Sequence, residues 1–571
     1  MRETYSSILK KYWGYDSFRG IQQDIIDSIC HGRDTLGLMP TGGGKSITFQ
    51  VPALAMDGMC LVVSPLIALM KDQVASLRKR HISAASITSD MSRYDIVSTL
   101  DSAIFGGIKI LYVSPERLSS ELFLNKLAKI DVSFITIDEA HCITQWGYDF
   151  RPSYLAISEV RKLKPDSPVL ALTATATEDV IEDIQCQLGF REPNVFRMSF
   201  RRENLAYIVR STDHKESELL HILQHTEGSS IIYVRTRNDS STIAHFLSNS
   251  GVSATYYHAG LSAYDKDFRQ REWQKDKVRV MVATNAFGMG IDKPNVRLVI
   301  HLICPDSLEA YFQEAGRAGR DGNKSYAVLL FSKDDIMILR HHFKDRFPKK
   351  EVVRQVYEHL ACFFQVGVGS GINASFNFDM DKFCHNFRYF PTTVTASLEI
   401  LSLSGYLDYS FDNRQMSRII FLMDRDNLYL LHSASPSTDS VIEELLRLYG
   451  GLFTSLVPID EGLIAQCCGI SKPEVQAILI NLSHRGIIHY VPPQSTPYVR
   501  YVLPRVDKES IIIPASAYDQ RLSKHQTREL AVEGYLLSTQ CCRSQYLLGY
   551  FGETDSEPCH QCDVCLSHNK A

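Results

Sequence analysis

The chain has 571 residues, more than one hydrophobic core accommodates, so we expect several domains. Its hydrophobic fraction of 44% and charged fraction of 22% are those of a folded, soluble protein. The net charge of −4 rules out overall charge as the means of attracting a nucleic acid, which would need a local basic surface. No apolar run reaches the roughly 20 residues of a membrane span, and the N-terminus lacks a signal-peptide core. We expect an intracellular protein with no membrane partner.

Residues 1–345 alternate short apolar runs with amphipathic segments, which predicts α/β structure with buried parallel strands and crossover helices. A break near 198–207 divides the runs into two sets. We therefore predict two α/β lobes, at 1–200 and 201–345. The runs are CLVVSP, IKILYVSP, FITID and VLALTAT in the first lobe, and SIIYV, VRVMVAT, VRLVIH and YAVLLF in the second.

The pattern changes after residue 345. A helical connector is predicted at 346–372, and 373–435 reads as helix, turn, helix, glycine stop and strand, the order of a winged-helix module. Residues 440–512 repeat this plan, and 515–571 form a helical segment that ends in cysteines. Such modules bind duplex DNA or dock proteins. The basic stretch LRHHFKDRFPKK suits either DNA contact or a solvated helix face.

The stretch MPTGGGKS after a strand-like run predicts a phosphate-binding loop. Glycines let backbone N–H groups face phosphate oxygens, Lys45 can reach the β- and γ-phosphates, and the Ser46 hydroxyl can ligate Mg²⁺. The alternative is a glycine-rich turn without a ligand. The predicted nucleotide ligands here are Thr41, Gly42, Gly43, Gly44, Lys45 and Ser46.

A second strand-like run ends in the acidic pair Asp138 and Glu139. One carboxylate can hold Mg²⁺ while the other activates water, and we assign these roles to Asp138 and Glu139 in that order. His141 would relay the nucleotide state. Upstream, the Gln22 amide suits the adenine edge, with Tyr15 or Arg19 stacking on the ring.

The stretch YFQEAGRAGRDG places Gln313, Arg317 and Arg320 at helical spacing, so we predict that they share one helix face. Arginines there can stabilise charge on a transferring phosphoryl group across a cleft. A solvated basic face is the alternative. Asp292, after a glycine-rich turn, is placed to sense ribose or couple the lobes.

Aromatic residues and an arginine follow the acidic pair at once, in DEAHCITQWGYDFRPSY. Aromatic rings beside an arginine suit nucleobases, since stacking is worth about 1–3 kcal/mol per base whatever the sequence. SPLIALMKDQV and SPERL add hydroxyls and an arginine for phosphates. An aromatic structural cluster is the alternative. The predicted DNA contacts are Ser64, Arg117, Trp146, Phe150, Arg151 and Tyr154.

These motifs together resemble the RecQ family of superfamily 2 DNA helicases over about residues 1–345. The resemblance implies two RecA-like lobes of the P-loop NTPase class with ATP in the cleft, 3′→5′ translocation on single-stranded DNA, and duplex unwinding in recombination and repair. It implies that the aromatic-rich loop couples DNA to hydrolysis. We expect a monomer, nucleoid-associated in the cytoplasm if bacterial. An RNA-directed translocase and a DNA-binding scaffold with a decayed ATPase are the competing hypotheses.

The tail carries Cys542, Cys559, Cys562 and Cys565, a set of thiolates that suits tetrahedral Zn²⁺. It is similar to the RecQ zinc-binding motif, including LLxYFGE. Cys541 falls one residue outside the motif, and a redox role is the alternative. In the common family plan the zinc module follows the second lobe and a winged helix comes after it. Here the winged-helix-like modules lie between them, and no HRDC-type domain is expected after the cysteines.

Overall fold

The computed structural model describes residues 4–40, 42–88, 91, 93–144, 151–288, 293–410, 417–423, 436–449, 452–453, 457–491 and 497–568. Unit 1 comprises Met1–Phe343 with Ser523–Ala571, and unit 2 comprises Lys344–Leu522. Within the described residues, no helix combines the length and apolar character that crossing a membrane requires.

The first lobe of unit 1 is built on a sheet whose described strands are all parallel, in the order β3-β4-β2-β5-β6-β1-β7. Helices cover both faces, so the strands are buried and their sequences are apolar throughout. The strands are β1 Thr35–Leu38, β2 Met59–Val63, β3 Ala84–Ile87, β4 Ile110–Val113, β5 Val132–Ile137, β6 Val169–Thr173 and β7 Val195–Arg197. The helices are α1 Tyr5–Trp13, α2 Gln22–Cys30, α3 Ile47–Ala55, α4 Ile67–Lys79, α5 Arg93–Ile104, α6 Glu121–Leu127, α7 Ile157–Leu163 and α8 Glu178–Gln187.

The second lobe has a sheet of the same kind, with parallel strands in the order β10-β11-β9-β12-β13-β8. Both lobes are RecA-like α/β layers, and the active-site loops of such sheets leave the carboxyl ends of the strands. The strands are β8 Leu205–Ser211, β9 Ser229–Tyr233, β10 Ala254–Tyr257, β11 Val280–Ala283, β12 Val296–His301 and β13 Ser325–Phe331. The helices are α9 Lys215–His225, α10 Arg237–Asn249, α11 Ala263–Gln274, α12 Leu308–Ala315 and α13 Lys333–Arg346.

Unit 2 contains two three-stranded antiparallel sheets, each accompanied by helices in the winged-helix order. One sheet has the order β14-β19-β15 and the other β17-β16-β18. The elements are α14 Lys350–Phe364, β14 Ser375–Asn377, α15 Met380–Phe387, α16 Pro391–Leu403, β15 Leu407–Ser410, β16 Ser417–Phe421, α17 Pro436–Leu448, β17 Val457–Ile459, α18 Glu461–Cys468, α19 Lys472–His484, β18 Ile488–Val491 and β19 Tyr498–Tyr501.

The two modules of unit 2 are nested, whereas the sequence suggested that they follow one another at 373–435 and 440–512. Strand β15 pairs with β19, and the chain between them supplies the whole second sheet. We call residues 417–491 the inserted module, because they stand where the wing turn of the first module would be. Apolar periodicity identifies strands but not their partners, which is why the sequence pattern missed the nesting.

The C-terminal segment forms α20 Asp519–Leu537, which enters unit 1 at Ser523, and then α21 Arg543–Tyr550 and α22 Asp563–His568. The ring of His525 lies 5.9 Å from the ring of Phe343, and Arg340 Nε donates to Glu533 at 3.1 Å. Unit 2 is therefore an insertion between the second lobe and the cysteine-bearing segment. The insertion explains why the cysteines follow the winged-helix-like modules in the sequence, unlike in the common family plan.

Candidate active site

The phosphate loop joins β1 to α3, with Ser46 as the residue that precedes the helix. Gly42 and Gly44 have φ of +85° and +77°, a backbone region that favours glycine. A Cβ on Gly44 would lie 2.4 Å from Nε2 of Gln22, so a larger residue here would displace the Gln22 amide. The loop backbone is thus held in the curled form that phosphate binding needs. Thr41 lies outside the described residues.

Lys45 projects from this loop toward the acidic pair. Its buried Nζ lies 3.7 Å from Oε1 of Glu139 and has no hydrogen-bond partner among the described residues. A buried ammonium in that state loses solvation without full compensation. Phosphate oxygens would supply the missing acceptors.

Asp138 follows the end of β5 and is held by short-range contacts. Its Oδ1 accepts the N–H of Glu139 at 3.0 Å, and Ser64 Oγ lies 3.5 Å from its Oδ2. Burial, reinforced by the charge of Glu139, raises the pKa of Asp138 to about 6. A carboxyl that is costly to ionise in this way gains from a bound cation.

Glu139 adopts φ +48°, the left-handed region that few non-glycine residues enter. Burial acts to raise its pKa, but Lys45, His141 and Arg317 hold it below the usual value, so the carboxylate stays ionised. An ionised carboxylate held among positive groups can accept a proton from water.

His141 lies next to Glu139 and connects it with the neighbouring strand. Its Nδ1 is 3.5 Å from Oε2 of Glu139 and 2.9 Å from Oγ1 of Thr173, the last residue of β6. Thr173 ends the strand of the VLALTAT run, and its sequence motif assigned it no role. A threonine that ends a buried strand was the available signal.

The arginines come from the second lobe, but the predicted common helix face is wrong. Helix α12 ends at Ala315, so only Gln313, which is buried, lies on it. Arg317 and Ala318 make i−3 hydrogen bonds to Glu314 and Ala315, which are turn geometry. The helix stops because the chain turns at Gly319, which has φ +66° and donates to the Val296 carbonyl at 2.9 Å.

Both arginines nevertheless reach the site across the cleft. Arg317 is 3% exposed and contributes to the low pKa of Glu139. A Cβ on Gly42 would lie 3.6 Å from Cγ of Arg320, so Arg320 lies against the phosphate loop. Asp292 lies outside the described residues.

The predicted adenine-binding residues differ in their surroundings: Gln22 is bonded to the phosphate loop, whereas Tyr15 is partly exposed beside Arg19. The Gln22 amide donates to the carbonyls of Gly43 and Gly44 at 3.2 and 3.1 Å and accepts the N–H of Arg19 at 2.8 Å. It therefore ties the N-terminal segment to the phosphate loop. Tyr15 is 47% exposed, and the Arg19 guanidinium lies 5.5 Å from its ring centroid. Adenine recognition by these residues stays a prediction.

Two of the predicted DNA contacts lie in the interior instead. Ser64 is 1% exposed beside Asp138, and Tyr154 is fully buried, with its hydroxyl donating to the Asp138 carbonyl at 3.0 Å. Neither side chain is available for stacking or phosphate contact, and both support the acidic pair. Burial at these positions follows from the fold of the whole lobe, and their local sequence carries no sign of it.

The other predicted DNA contacts are only partly described. Arg117 Nη2 donates to the Thr88 carbonyl at 3.0 Å, and Arg151 Nη1 donates to the Pro65 carbonyl at 3.3 Å. Trp146 and Phe150 lie outside the described residues.

The structure brings the four predicted cysteines together. The sulfur atoms of Cys542, Cys559, Cys562 and Cys565 all lie within 4.8 Å of one another. Those of Cys542 and Cys562 are 3.9 Å apart, close to the roughly 3.8 Å expected for tetrahedral zinc with Zn–S bonds of about 2.3 Å.

The surroundings of the cysteines support the same ligand set. The N–H groups of Cys559 and Cys565 donate to sulfurs of the cluster at 3.2 and 3.4 Å, as expected around thiolate ligands. Among the described residues, Cys541 lies outside this cluster, and zinc binding by the four clustered cysteines stays a prediction that their geometry fits.

Four family profiles match the chain in order. They describe a DEAD/DEAH box helicase (19–184), a helicase conserved C-terminal domain (214–322), a RecQ helicase winged-helix domain of Bacteroidota (419–492) and a RecQ zinc-binding domain (506–566). Two of these profiles are specific to RecQ helicases, so the chain is similar to the RecQ family over the matched ranges. The inserted module thus coincides with the matched winged-helix domain.

The curated proteins that resemble this chain are named as ATP-dependent DNA helicases. The ATP-dependent DNA helicase RecQ of Bacillus subtilis (strain 168) is 45% identical over 337 residues, covering 58% of this chain and 57% of the relative. RecQ of Pasteurella multocida (strain Pm70) is 43% identical, covering 59% and 53%. The probable helicase RecS of B. subtilis is 41% identical, covering 57% and 66%. The chain spans between half and two thirds of the length of these relatives.

Solved structures with similar lobes are more distant. The DUF1998 helicase MrfA bound to DNA and AMPPNP aligns with a TM-score of 0.50 and 19% identity, covering 59% of this chain and 51% of that one. The DEAD-box helicase Mss116 bound to ssRNA and UDP-BeF aligns with a TM-score of 0.50 and 18% identity, covering 59% and 75%. At this identity the likeness concerns the fold of the two lobes.

Proposed function

We propose that the chain is an ATP-dependent DNA helicase that moves 3′→5′ along single-stranded DNA as a monomer and unwinds duplexes in recombination and repair. One observation carries the proposal: both lobes supply charged groups to a single site. Lys45 and Glu139 come from the first lobe, and Arg317 acts on Glu139 from the second. Hydrolysis and lobe movement are then linked, because either event changes these contacts.

Each residue of the site has a role in phosphoryl transfer. Lys45 and Arg320 bind phosphate oxygens, and Arg317 stabilises the charge that develops during transfer. Ser46 and Asp138 would hold Mg²⁺, which fits the raised pKa of the Asp138 carboxyl. Glu139 orients water and accepts its proton, and Gln313 and His141 register the nucleotide state.

The proposed DNA contacts rest on the interactions made by residues on either side of 145–150. Before this segment, His141 contacts Glu139; after it, Tyr154 bonds to the Asp138 carbonyl. A base stacked on Trp146 or Phe150 would therefore shift a segment tied at both ends to the acidic pair. This explains how DNA could stimulate hydrolysis.

The test is the ATPase rate with no polymer, with single-stranded DNA and with single-stranded RNA, together with unwinding of 3′-tailed and 5′-tailed duplexes. We expect DNA to stimulate hydrolysis more than RNA does, and only the 3′-tailed duplex to be unwound. Stimulation by RNA alone would make the chain an RNA translocase. Stimulation by DNA without unwinding would restrict the function to translocation.

A further inference from the structure

The segment Phe551–Gly552–Glu553, which we call the tip, follows α21 and meets the connection between the two lobes. This connection is the linker of residues 198–204, between β7 and β8. Glu553 Oε1 accepts the N–H of Phe200 at 2.7 Å, and Oε2 accepts the hydroxyl of Ser199 at 2.8 Å. A single carboxylate thus binds the linker at two points.

The tip also contacts the helix that leads to the active-site arginines. The Phe551 ring lies edge-on to Phe200 and Phe312, with centroid distances of 5.4 and 5.2 Å, and all three rings are buried. Phe312 directly precedes Gln313 on α12. A displaced tip would therefore displace the helix that carries Gln313 and positions the following turn.

The same helix is supported by α20. Arg528 donates to Glu309 at 3.3 Å, and the hydroxyl of Tyr535 lies 3.4 Å from that of Tyr311. Side chains from the cysteine-bearing segment consequently meet α12 at Glu309, Tyr311 and Phe312, and the tip is the part that also reaches the linker.

Backbone geometry fixes the direction of the tip. Gly552 has φ +89°, and the N–H of Glu553 bonds to the Leu548 carbonyl at 2.8 Å, a closing contact for α21. A Cβ on Gly552 would lie 3.1 Å from Oε1 of Glu178, which pairs with Arg197 at the end of β7. The tip therefore contacts the linker and the second lobe and lies beside Glu178 of the first lobe.

We propose that Glu553 is a positioning residue that anchors the interlobe linker. With the linker anchored, lobe closure places Arg317 and Arg320 accurately against the phosphate loop. This inference rests on the proposed ATPase. The linker needs a fixed point if movement of one lobe is to place side chains accurately on the other. Misplacement of catalytic groups by about 1 Å can cost as much as 100-fold in rate.

The test compares Glu553→Ala with Asp555→Ala, which removes an exposed carboxylate two residues away. Hydrogen exchange of the 198–204 peptide is measured together with DNA-stimulated ATPase kinetics and zinc content. We expect the Phe200 amide to exchange about tenfold faster in Glu553→Ala, and kcat to fall about tenfold while KM for ATP stays within about twofold. Zinc content should be unchanged. Glu553→Gln keeps one acceptor, so its Phe200 exchange rate and its kcat should lie between those of wild type and Glu553→Ala.

Two results would overturn the anchor: unchanged exchange at Phe200, or a rise in KM without a fall in kcat. Wild-type protein without DNA-stimulated ATPase would instead refute the proposed function, and the exchange measurement would still decide whether Glu553 holds the linker. A loss of zinc in Glu553→Ala would show a folding role for the carboxylate and also count against positioning.

Discussion

Lys45 is a buried ammonium whose neighbouring carboxylate, on Glu139, is 3.7 Å away. Lys45→Ala removes the group that would bind phosphate and leaves the predicted DNA contacts in place. We expect ATP hydrolysis to fall by about 10²–10³-fold, with DNA affinity unchanged within about twofold. Steady-state ATPase and fluorescence anisotropy measure the two, with Lys79→Ala, an exposed lysine on α4, as the control. Full turnover would refute the phosphate-site assignment.

A variant of Tyr154 can distinguish a structural role for this residue from a DNA-contact role. Its buried hydroxyl donates to the Asp138 carbonyl, so Tyr154→Phe deletes one hydrogen bond and keeps the ring. We expect a loss of about 1 kcal/mol in stability and a lower DNA-stimulated ATPase rate, at unchanged DNA affinity. Weaker DNA binding in a variant of unchanged stability would restore the original prediction that Tyr154 meets DNA.

For single residues, the sequence predicts the chemistry of a side chain better than its position in the fold. Phosphate and metal chemistry restrict the residue types allowed in short motifs, so Lys45, Asp138 and Glu139 could be predicted to share a site. The structure places Lys45 Nζ 3.7 Å from Glu139. Ser64 and Tyr154 were misplaced because their local sequences fit a DNA contact and a structural support equally well. Only the packing of the lobe distinguishes these roles.

The turn after α12 depends on two glycines with different surroundings. Gly319 and Gly322 have φ of +66° and +83°, but a Cβ on Gly319 would lie 2.5 Å from Nδ2 of Asn204, whereas nothing lies within 4 Å of one on Gly322. Gly322→Ala should therefore cost only backbone strain, about 1 kcal/mol, and Gly319→Ala about 3 kcal/mol or more. Because Arg317 and Arg320 flank Gly319, its variant should also lose ATPase activity.

Urea denaturation and ATPase assays of both variants test this contrast. Equal destabilisation would mean that the Asn204 contact relaxes at little cost. The motif could not predict this turn, because helical spacing of Gln313, Arg317 and Arg320 is compatible with a continuous helix. The chain leaves the helix owing to a tertiary hydrogen bond from the Gly319 N–H to the Val296 carbonyl.

The cysteine cluster allows a comparison between a thiol inside the cluster and a thiol outside it. Cys562→Ser removes a predicted ligand, whereas Cys541→Ser changes an exposed thiol outside the cluster. We expect about one zinc per chain in wild type and Cys541→Ser, and strongly reduced zinc in Cys562→Ser, with a lower melting temperature because metal binding contributes to folding. Atomic emission and thermal denaturation measure both. Zinc retained in Cys562→Ser would refute the ligand set.

Over the whole molecule, long-range pairing is what the sequence pattern could not supply. Apolar runs predicted the strands of unit 2, yet β15 pairs with β19 across the inserted module. Likewise, the cysteine-bearing segment rejoins unit 1 after the 344–522 insertion, although the motif order suggested a rearranged protein. Both outcomes depend on contacts between residues far apart in sequence.

The inserted module can be removed at a defined point, because Ser410 and Tyr498 are paired partners in β15 and β19. Replacing 411–497 by Asn-Gly would close these strands with a two-residue turn. Residues 417–491 contain five Lys or Arg and eight Asp or Glu, so the module attracts phosphates poorly. We therefore expect the deletion to leave duplex-DNA affinity and its salt dependence unchanged within about twofold.

The matched readout is single-stranded-DNA-stimulated ATPase, which should also persist, because the phosphate loop, the arginines and the tip all belong to unit 1. A fall in DNA affinity of about tenfold or more, with a shallower salt slope, would show that the inserted module contacts DNA phosphates despite its negative charge. Unchanged affinity with lost unwinding would give it a role in separating strands without tight binding. Unchanged affinity and unwinding would leave protein docking as the function that fits its charge.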